Sequence, residues 1–335
     1  MKAVFIFFAA MLLLAPGDRK QAAGMVMTVN GPISPAAMGL SLIHEHILVD
    51  FIGADKIHPG RWQHDEVIAV ALPYLQQLKK LGGQTLIECT PAYLGRDPLL
   101  LKKLADASGL HLLTNTGYYG AGNNKYLPAH AFTETADQLA QRWIQEWDEG
   151  IAGTGIKPGF IKIGVNESPL SGLHQKLVQA AARTHLKTGL KIASHTGPAV
   201  AAWQQLSLLE AEGVSPQAFI WVHAQGEKNQ AQLVKAAQKG AWISLDGLSD
   251  DNLEAYLQKL QHLKTAHVLN KVLLSHDAGW YRPEKPKGGD YRGYTTLVAK
   301  LLPRLKQAQF SEAEIRQLLV TNPAQAFAVQ VHRKE

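Results

Sequence analysis

Short apolar, β-branched runs alternate along this chain with longer stretches whose apolar residues recur at helical spacing. The runs are LSLIHEHILV, QTLIECT, HLLTNTG, FIKIGV, KIASHTG, AFIWVHA, AWISLDG and KVLLSHD, and each reads as a strand. Between them lie segments such as DEVIAVALPYLQQLKKLGG, PLLLKKLADASG, TADQLAQRWIQEWDEGI, LHQKLVQAAARTHLKTG, AAWQQLSLLEAEG and NQAQLVKAAQKG, several of which close on glycine where a helix C-cap needs a left-handed residue. Strand precedes helix throughout. Eight such units predict an α/β fold, a (β/α)8 TIM barrel forming a single domain over residues 28–332. A doubly wound sheet is disfavoured, since the chain has no GxGxxG turn and no sign of a second core.

The barrel reading gives meaning to residues that look scattered. A strand alternates its side chains, so His44 and His46 in LSLIHEHILV share one face and Glu45 takes the other. Imidazoles at i and i+2 on an apolar strand suit a first-row metal better than a core. Four later strands carry Lys162, His195, His223 and Asp277 at or near their C-terminal ends, and such ends converge on one mouth in this fold. Four neutral histidines facing one cavity leave lone pairs that divalent ions take up directly, and the number of ligands fits two ions better than one. An ammonium among divalent ions would be repelled, so Lys162 is expected either deprotonated or carboxylated by carbon dioxide into a bridging carbamate, with the carbamate favoured. Zinc, manganese and cobalt all suit such donors.

Composition changes this picture little. The 335 residues are 46% hydrophobic and 19% charged, with a net charge of +6. The basic residues are scattered, so nucleic acid is not an expected partner. The single cysteine, Cys89, cannot form an intramolecular disulfide and reads as a small buried apolar residue. Residues 1–23 have the basic start, short apolar run and small-residue end of a signal peptide, with cleavage expected after Ala23; an apolar packed helix or an uncleaved anchor is the alternative. A secreted or periplasmic protein without stable membrane insertion is therefore expected.

HxH on the first strand, lysine on the fourth, histidines on the fifth and sixth and aspartate on the eighth resemble the phosphotriesterase-like (phosphotriesterase homology or lactonase) family of the binuclear-metal amidohydrolase superfamily. The opening TVNGPISPAAMGLSLIHEHI, the stretch GRDPLLLKKLADASGLHLLTNTGYY, the run EAEGVSPQAFIWVHA and the closing FSEAEIRQLLVTNPAQAFAV, with its helix-breaking TNPA, carry the likeness over most of the chain. The resemblance implies that His44, His46 and Asp277 hold a buried metal ion and His195 and His223 a more exposed one, with N6-carboxylated Lys162 and a hydroxide bridging them. It also implies catalytic roles for Lys162 and Asp277, the latter accepting the proton of the attacking hydroxide, and a homodimeric assembly seen in related enzymes.

Departures bear on the substrate. The family's organophosphate hydrolases carry an aspartate after the sixth-strand histidine and a histidine ending the seventh strand; here the runs are HAQGE and SLDGLSDD, so that proton relay is absent and Gly247 stands in the histidine's place. Asp246 either orients the groups around the ligands or satisfies backbone amides. Tyr118 and Tyr119, ending the third strand, and Trp280 and Tyr281, opening the long loop after the eighth, are candidate pocket residues, equally able to pack loops; Arg282 and Arg292 are candidate anion contacts, although solvated loop arginines are more common. The expected activity is hydrolysis of an ester-type bond in a small molecule, a lactone or carboxylic ester. The alternatives are a true phosphotriesterase or phosphodiesterase, and a catalytically silent small-molecule binding protein on the same barrel.

Overall fold

The structure, a computed structural model, describes residues 22–166 and 168–335. The signal-peptide reading of residues 1–23 falls almost entirely outside them. All eight expected strands are present: β1 (Leu40–Leu48), β2 (Gly83–Glu88), β3 (His111–Leu113, resuming at Asn115–Thr116), β4 (Phe160–Gly164), β5 (Ile192–His195), β6 (Phe219–Val222), β7 (Trp242–Leu245) and β8 (Val272–Leu274). They pair in parallel in chain order. Closure comes from the last strand meeting the first: Ser275 Oγ accepts from His44 N at 3.0 Å, and Asp277 N donates to His44 O at 3.0 Å. An N-terminal hairpin, Val26–Thr28 with Gly31–Ile33, precedes the barrel and packs on β3.

Helices α1 (His64–Lys80), α2 (Pro98–Ser108), α3 (Ala136–Glu149), α4 (Gly172–Thr188), α5 (Ala199–Ala211), α6 (Gln230–Gln238) and α7 (Leu253–Thr265) follow their strands in turn, and two further helical stretches, Leu297–Gln307 and Glu312–Phe327, complete the outer layer. Their ends obey local chemistry. Asp97 accepts from Leu100 N to cap α2, Thr135 and Gln138 make a reciprocal capping box on α3, and left-handed Gly109 and Gly189 end α2 and α4. The main core lies between strands and helices; a smaller cluster around Ile43, Phe160, Trp242 and Phe327 fills the barrel and its lower end.

Two expectations are corrected. TNPA does not break the last helix: the chain passes from a π-helical turn at Gln317–Thr321 into Asn322–Phe327 without interruption, and the wider turn accommodates Pro323, which has no N–H to donate. Residues Gly279–Tyr281 do not open a loop but pair with β1, Gly279 against His46 and Tyr281 against Leu48. That pairing needs glycine at 279, where φ is +95° and a Cβ would lie 1.7 Å from His46 O.

Candidate active site

His44, His46, Lys162, His195, His223 and Asp277 all line one cavity of about 240 Å³ at the C-terminal mouth of the barrel. Trp280 and Tyr119 share it, with Val49, Phe51, Pro91 and Tyr126 completing an apolar wall. Tyr118 and Tyr281 do not. Tyr118 is buried against Tyr93, His130 and Trp143 and bonds His130 Nε2 at 3.0 Å, while Tyr281 reaches Glu66 at 3.4 Å. In extended chain, neighbours point to opposite sides, so only one of each adjacent aromatic pair can face the mouth. Arg282 is absent from the lining, and Arg292 is spent on Asp277 O at 3.1 Å.

The rings are mutually close. Ring centroids of His44 lie 5.4 Å from His46 and 5.1 Å from His223, and those of His195 and His223 are 4.4 Å apart. Asp277 Oδ1 is 3.0 Å from His46 Nε2 and 3.7 Å from His44 Nε2. Each anchored ring keeps one nitrogen for the cavity. His46 Nδ1 donates to Thr90 Oγ1 at 2.7 Å, the hydroxyl itself donating to Leu48 O, and His223 Nδ1 donates to Asp246 Oδ1 at 2.7 Å; in both, Nε2 is left bare.

Asp246 is fully buried and central. Besides His223 Nδ1 it accepts from His223 N at 3.2 Å, Ser244 Oγ at 2.5 Å and Gln225 Nε2 at 3.2 Å, so it both orients a ring and satisfies a backbone amide. Its Oδ2 also lies 3.3 Å from His44 Nδ1. Burial pushes its carboxyl up, but the imidazoles of His223 and His44 outweigh that and hold it well below the usual range. Asp277 behaves the same way: burial is overcome by His46, His44 and His223, and it stays ionised. Burial, reinforced by Lys162, lowers His44 to about 4. Burial, His223 and Lys162 lower His195, and burial lowers Lys162 itself. His223 alone is raised, because Asp246 more than offsets its burial.

This donor set fits divalent cations. Asp277 Oδ1, 3.0 Å from the bare Nε2 of His46, and His44 Nδ1, 3.3 Å from Asp246 Oδ2, are buried near polar neighbours without a well-formed hydrogen bond, an arrangement that is costly without a cation or water to satisfy it. His44, His46 and Asp277 bring three ligand atoms within 4.8 Å of one another. A buried lysine driven toward its neutral amine is the form that carbon dioxide carboxylates.

Several contacts emerge only in the structure. Glu45, opposite the HxH face, accepts from Ser275 Oγ (2.7 Å), His276 Nδ1 (2.7 Å), His276 N (3.0 Å) and Ala278 N (2.9 Å), locking β1 to the segment that carries Asp277. The i+1 position between the two histidines was the available signal. Glu88, paired with Glu45 across β1 and β2, is raised to about 7 by burial. His223, Asp277 and Trp280 have φ of 62°, 53° and 78°, left-handed values that three bulky residues adopt here within the mouth. In place of the absent relay histidine, Gln225 occupies the space beside Gly247: a Cβ on that glycine would lie 2.6 Å from Gln225 Nε2. Tyr119 Oη lies 3.0 Å from His195 Nδ1, and Cys89, read as a buried apolar residue, is buried but also lines the cavity.

The Phosphotriesterase family model matches residues 24–327. The chain belongs to this family. Among relatives in the phosphotriesterase family, a phosphotriesterase homology protein of Escherichia coli K12 is 30% identical over 293 residues, covering 86% of this chain and 98% of that protein. An aryldialkylphosphatase of Saccharolobus solfataricus is 28% identical over 305 residues, covering 87% and 95%. A mutant of a Deinococcus radiodurans PTE-like lactonase superposes with a TM-score of 0.80 at 28% identity, covering 90% of this chain and 99% of that one. Phosphotriesterase-family proteins are metal-dependent hydrolases built on a binuclear centre, and this barrel carries a histidine and aspartate group able to hold metal.

Proposed function

We propose that the protein hydrolyses a neutral ester-type bond in a small molecule, with a lactone or carboxylic ester as its natural substrate. The observation that carries this reading is the cavity itself: about 240 Å³, walled by Val49, Phe51, Pro91, Tyr126 and Trp280, with Lys162 its one lysine and no arginine among the lining residues. Outside the ligand set the wall is apolar, so the groups flanking the scissile bond should be uncharged; a lactone or carboxylic ester fits, and a neutral phosphotriester fits as a secondary substrate. A phosphotriester activity is also what the name of the Saccharolobus relative describes for that protein.

In this reading His44, His46 and Asp277 would hold one divalent ion, zinc or in its place manganese or cobalt, and His195 and His223 would hold a second, with N6-carboxylated Lys162 as a further ligand. Such ions, when bound, ionise water near neutral pH and polarise the oxygen under attack. The chain's own groups do the rest. Asp277, kept ionised by its histidines, accepts the proton released at the mouth. Asp246 holds His223 with its Nε2 toward the cavity, and Tyr119 places a hydroxyl beside His195. Phe51 and Trp280, their rings 5.5 Å apart, form part of the apolar wall.

The deciding experiment is turnover of a panel of lactones, aryl esters, phosphotriesters and phosphodiesters by metal-loaded protein, with metal content measured on the same preparation. Lactone or ester turnover well above triester turnover supports the proposal. Preferred triester hydrolysis would replace it by a true phosphotriesterase, and binding without any turnover by a silent binding protein. We extend the proposal to export through the N-terminal segment, checked by finding activity in the periplasmic or culture fraction with Gly24 as the mature start. Among the described residues no helix is long and apolar enough to cross a membrane.

A further inference from the structure

The opposite pole of the barrel carries a second concentration of charge. A cavity of about 560 Å³ opens beneath the N-terminal ends of β5 to β8, and its lining includes Lys191, Lys271, Arg316 and His332 but no aspartate or glutamate. Lys191 is only 2% exposed; its ammonium donates to Gln217 O at 3.3 Å and to His332 Nε2. Lys271 Nζ rests 4.4 Å from the centroid of the Trp242 ring, a π face being a weak substitute for a carboxylate. Among the described residues no ion pair reaches Lys191, Lys271 or Arg316. Trp242, also 2% exposed, lines the same cavity, and its Nε1 is a buried donor with no partner.

Buried donors without acceptors are rare, and buried cations are ordinarily paired. We propose that this pole is a binding site for a phosphate dianion, either inorganic phosphate or the phosphate of a phosphomonoester. Two ammonium groups and a guanidinium come from separate elements around one space, beside an indole whose N–H has no partner, which suits a doubly charged tetrahedral oxyanion better than the single charge and coplanar oxygens of a carboxylate. The volume exceeds what a phosphate group fills and leaves room for an organic remainder. The present electrostatics agree with a missing counter-charge: burial and then Lys271 push Lys191 down to about 7, and burial and then Lys191 push His332 down to about 4.

The test is thermal unfolding of the metal-loaded protein in inorganic phosphate and in phenyl phosphate, at ionic strength held constant with chloride. A ligand that binds the folded state raises Tm with concentration. The wild type is expected to respond, and Lys271→Gln/Arg316→Gln to need at least tenfold more phosphate for the same shift, with its ester turnover unchanged. Phenyl phosphate acting as strongly as inorganic phosphate assigns the site to phosphomonoesters; inorganic phosphate acting alone assigns it to the free ion. Asp277→Asn should keep the response, which separates this pole from the mouth. Equal responses in wild type and double variant, or a wild-type shift no larger than chloride produces, would overturn the proposal. Should the double variant fail to fold, Arg316→Gln alone, at an exposed position, is expected to weaken the response at least threefold, and an unchanged response would sink it.

Discussion

The two ends of this barrel are built from the same strands and are electrostatic opposites. At the C-terminal mouth, Asp246 and Asp277 sit within a ring of imidazoles, with Glu45 and Glu88 buried behind them; at the N-terminal pole, Lys191, Lys271, Arg316 and His332 gather with no acid in the lining. The mouth anchors its rings by hydrogen bonds to Thr90 and Asp246 and leaves other nitrogens bare, an arrangement that asks for cations. The opposite pole leaves the buried Trp242 Nε1 bare and its cations without a carboxylate, and asks for an anion. The charged groups that set the two poles apart gather at the strand ends. The interior layer between them is an apolar cluster.

The mouth should break most completely when its cations are lost. Chelation, or Asp277→Asn, is expected to reduce ester turnover by about 10³-fold or more while far-UV circular dichroism persists. Collapse of the fold alongside activity would instead make the centre structural. Next in size is Glu45→Ala, which leaves Ser275, His276 and two backbone N–H groups without their acceptor. A loss of about 2–4 kcal/mol in urea unfolding is expected, and a loss within error would mean that water replaces the carboxylate.

Asp246→Asn keeps the shape but weakens the hold on His223, and should lower metal affinity or turnover by about 10–100-fold, read by metal titration. The smallest effect belongs to the other pole. His185 donates from Nδ1 to Leu190 O and accepts His332 N at Nε2, so it is held neutral, and both it and His332 are lowered to about 4 from an ordinary 6.5, chiefly by burial. Between those values the unfolded chain takes up protons that the folded one refuses. Stability is therefore full above pH 6.5 and falls as pH drops toward about 4, and His185→Gln should flatten that slope in urea midpoints measured across the range.

Strand and helix order was legible because burial on a barrel imposes simple periods, and the six ligand candidates were legible because polar residues at the ends of apolar strands have few structural reasons to be there. The aromatic residues show the limit. Tyr118 and Tyr119 are identical in sequence terms, as are Trp280 and Tyr281 in their placement, and only the strand register shows that Tyr119 and Trp280 face the cavity. Gln225 looks like an ordinary loop residue until the fold places its amide on Asp246 beside Gly247.

What the chain determined by itself, then, is whatever depends on near neighbours: the alternation that puts His44 and His46 on one face, the caps on α2 and α3, and the class of barrel that follows from repeated strand and helix. Tertiary structure alone decided the rest. Glu45 and His276 are 231 residues apart, and His332 meets Lys191 across 141. The physical reason is that hydrogen bonding, desolvation and charge act through space, and a residue's environment in a closed barrel is made mainly of side chains that the sequence places far away.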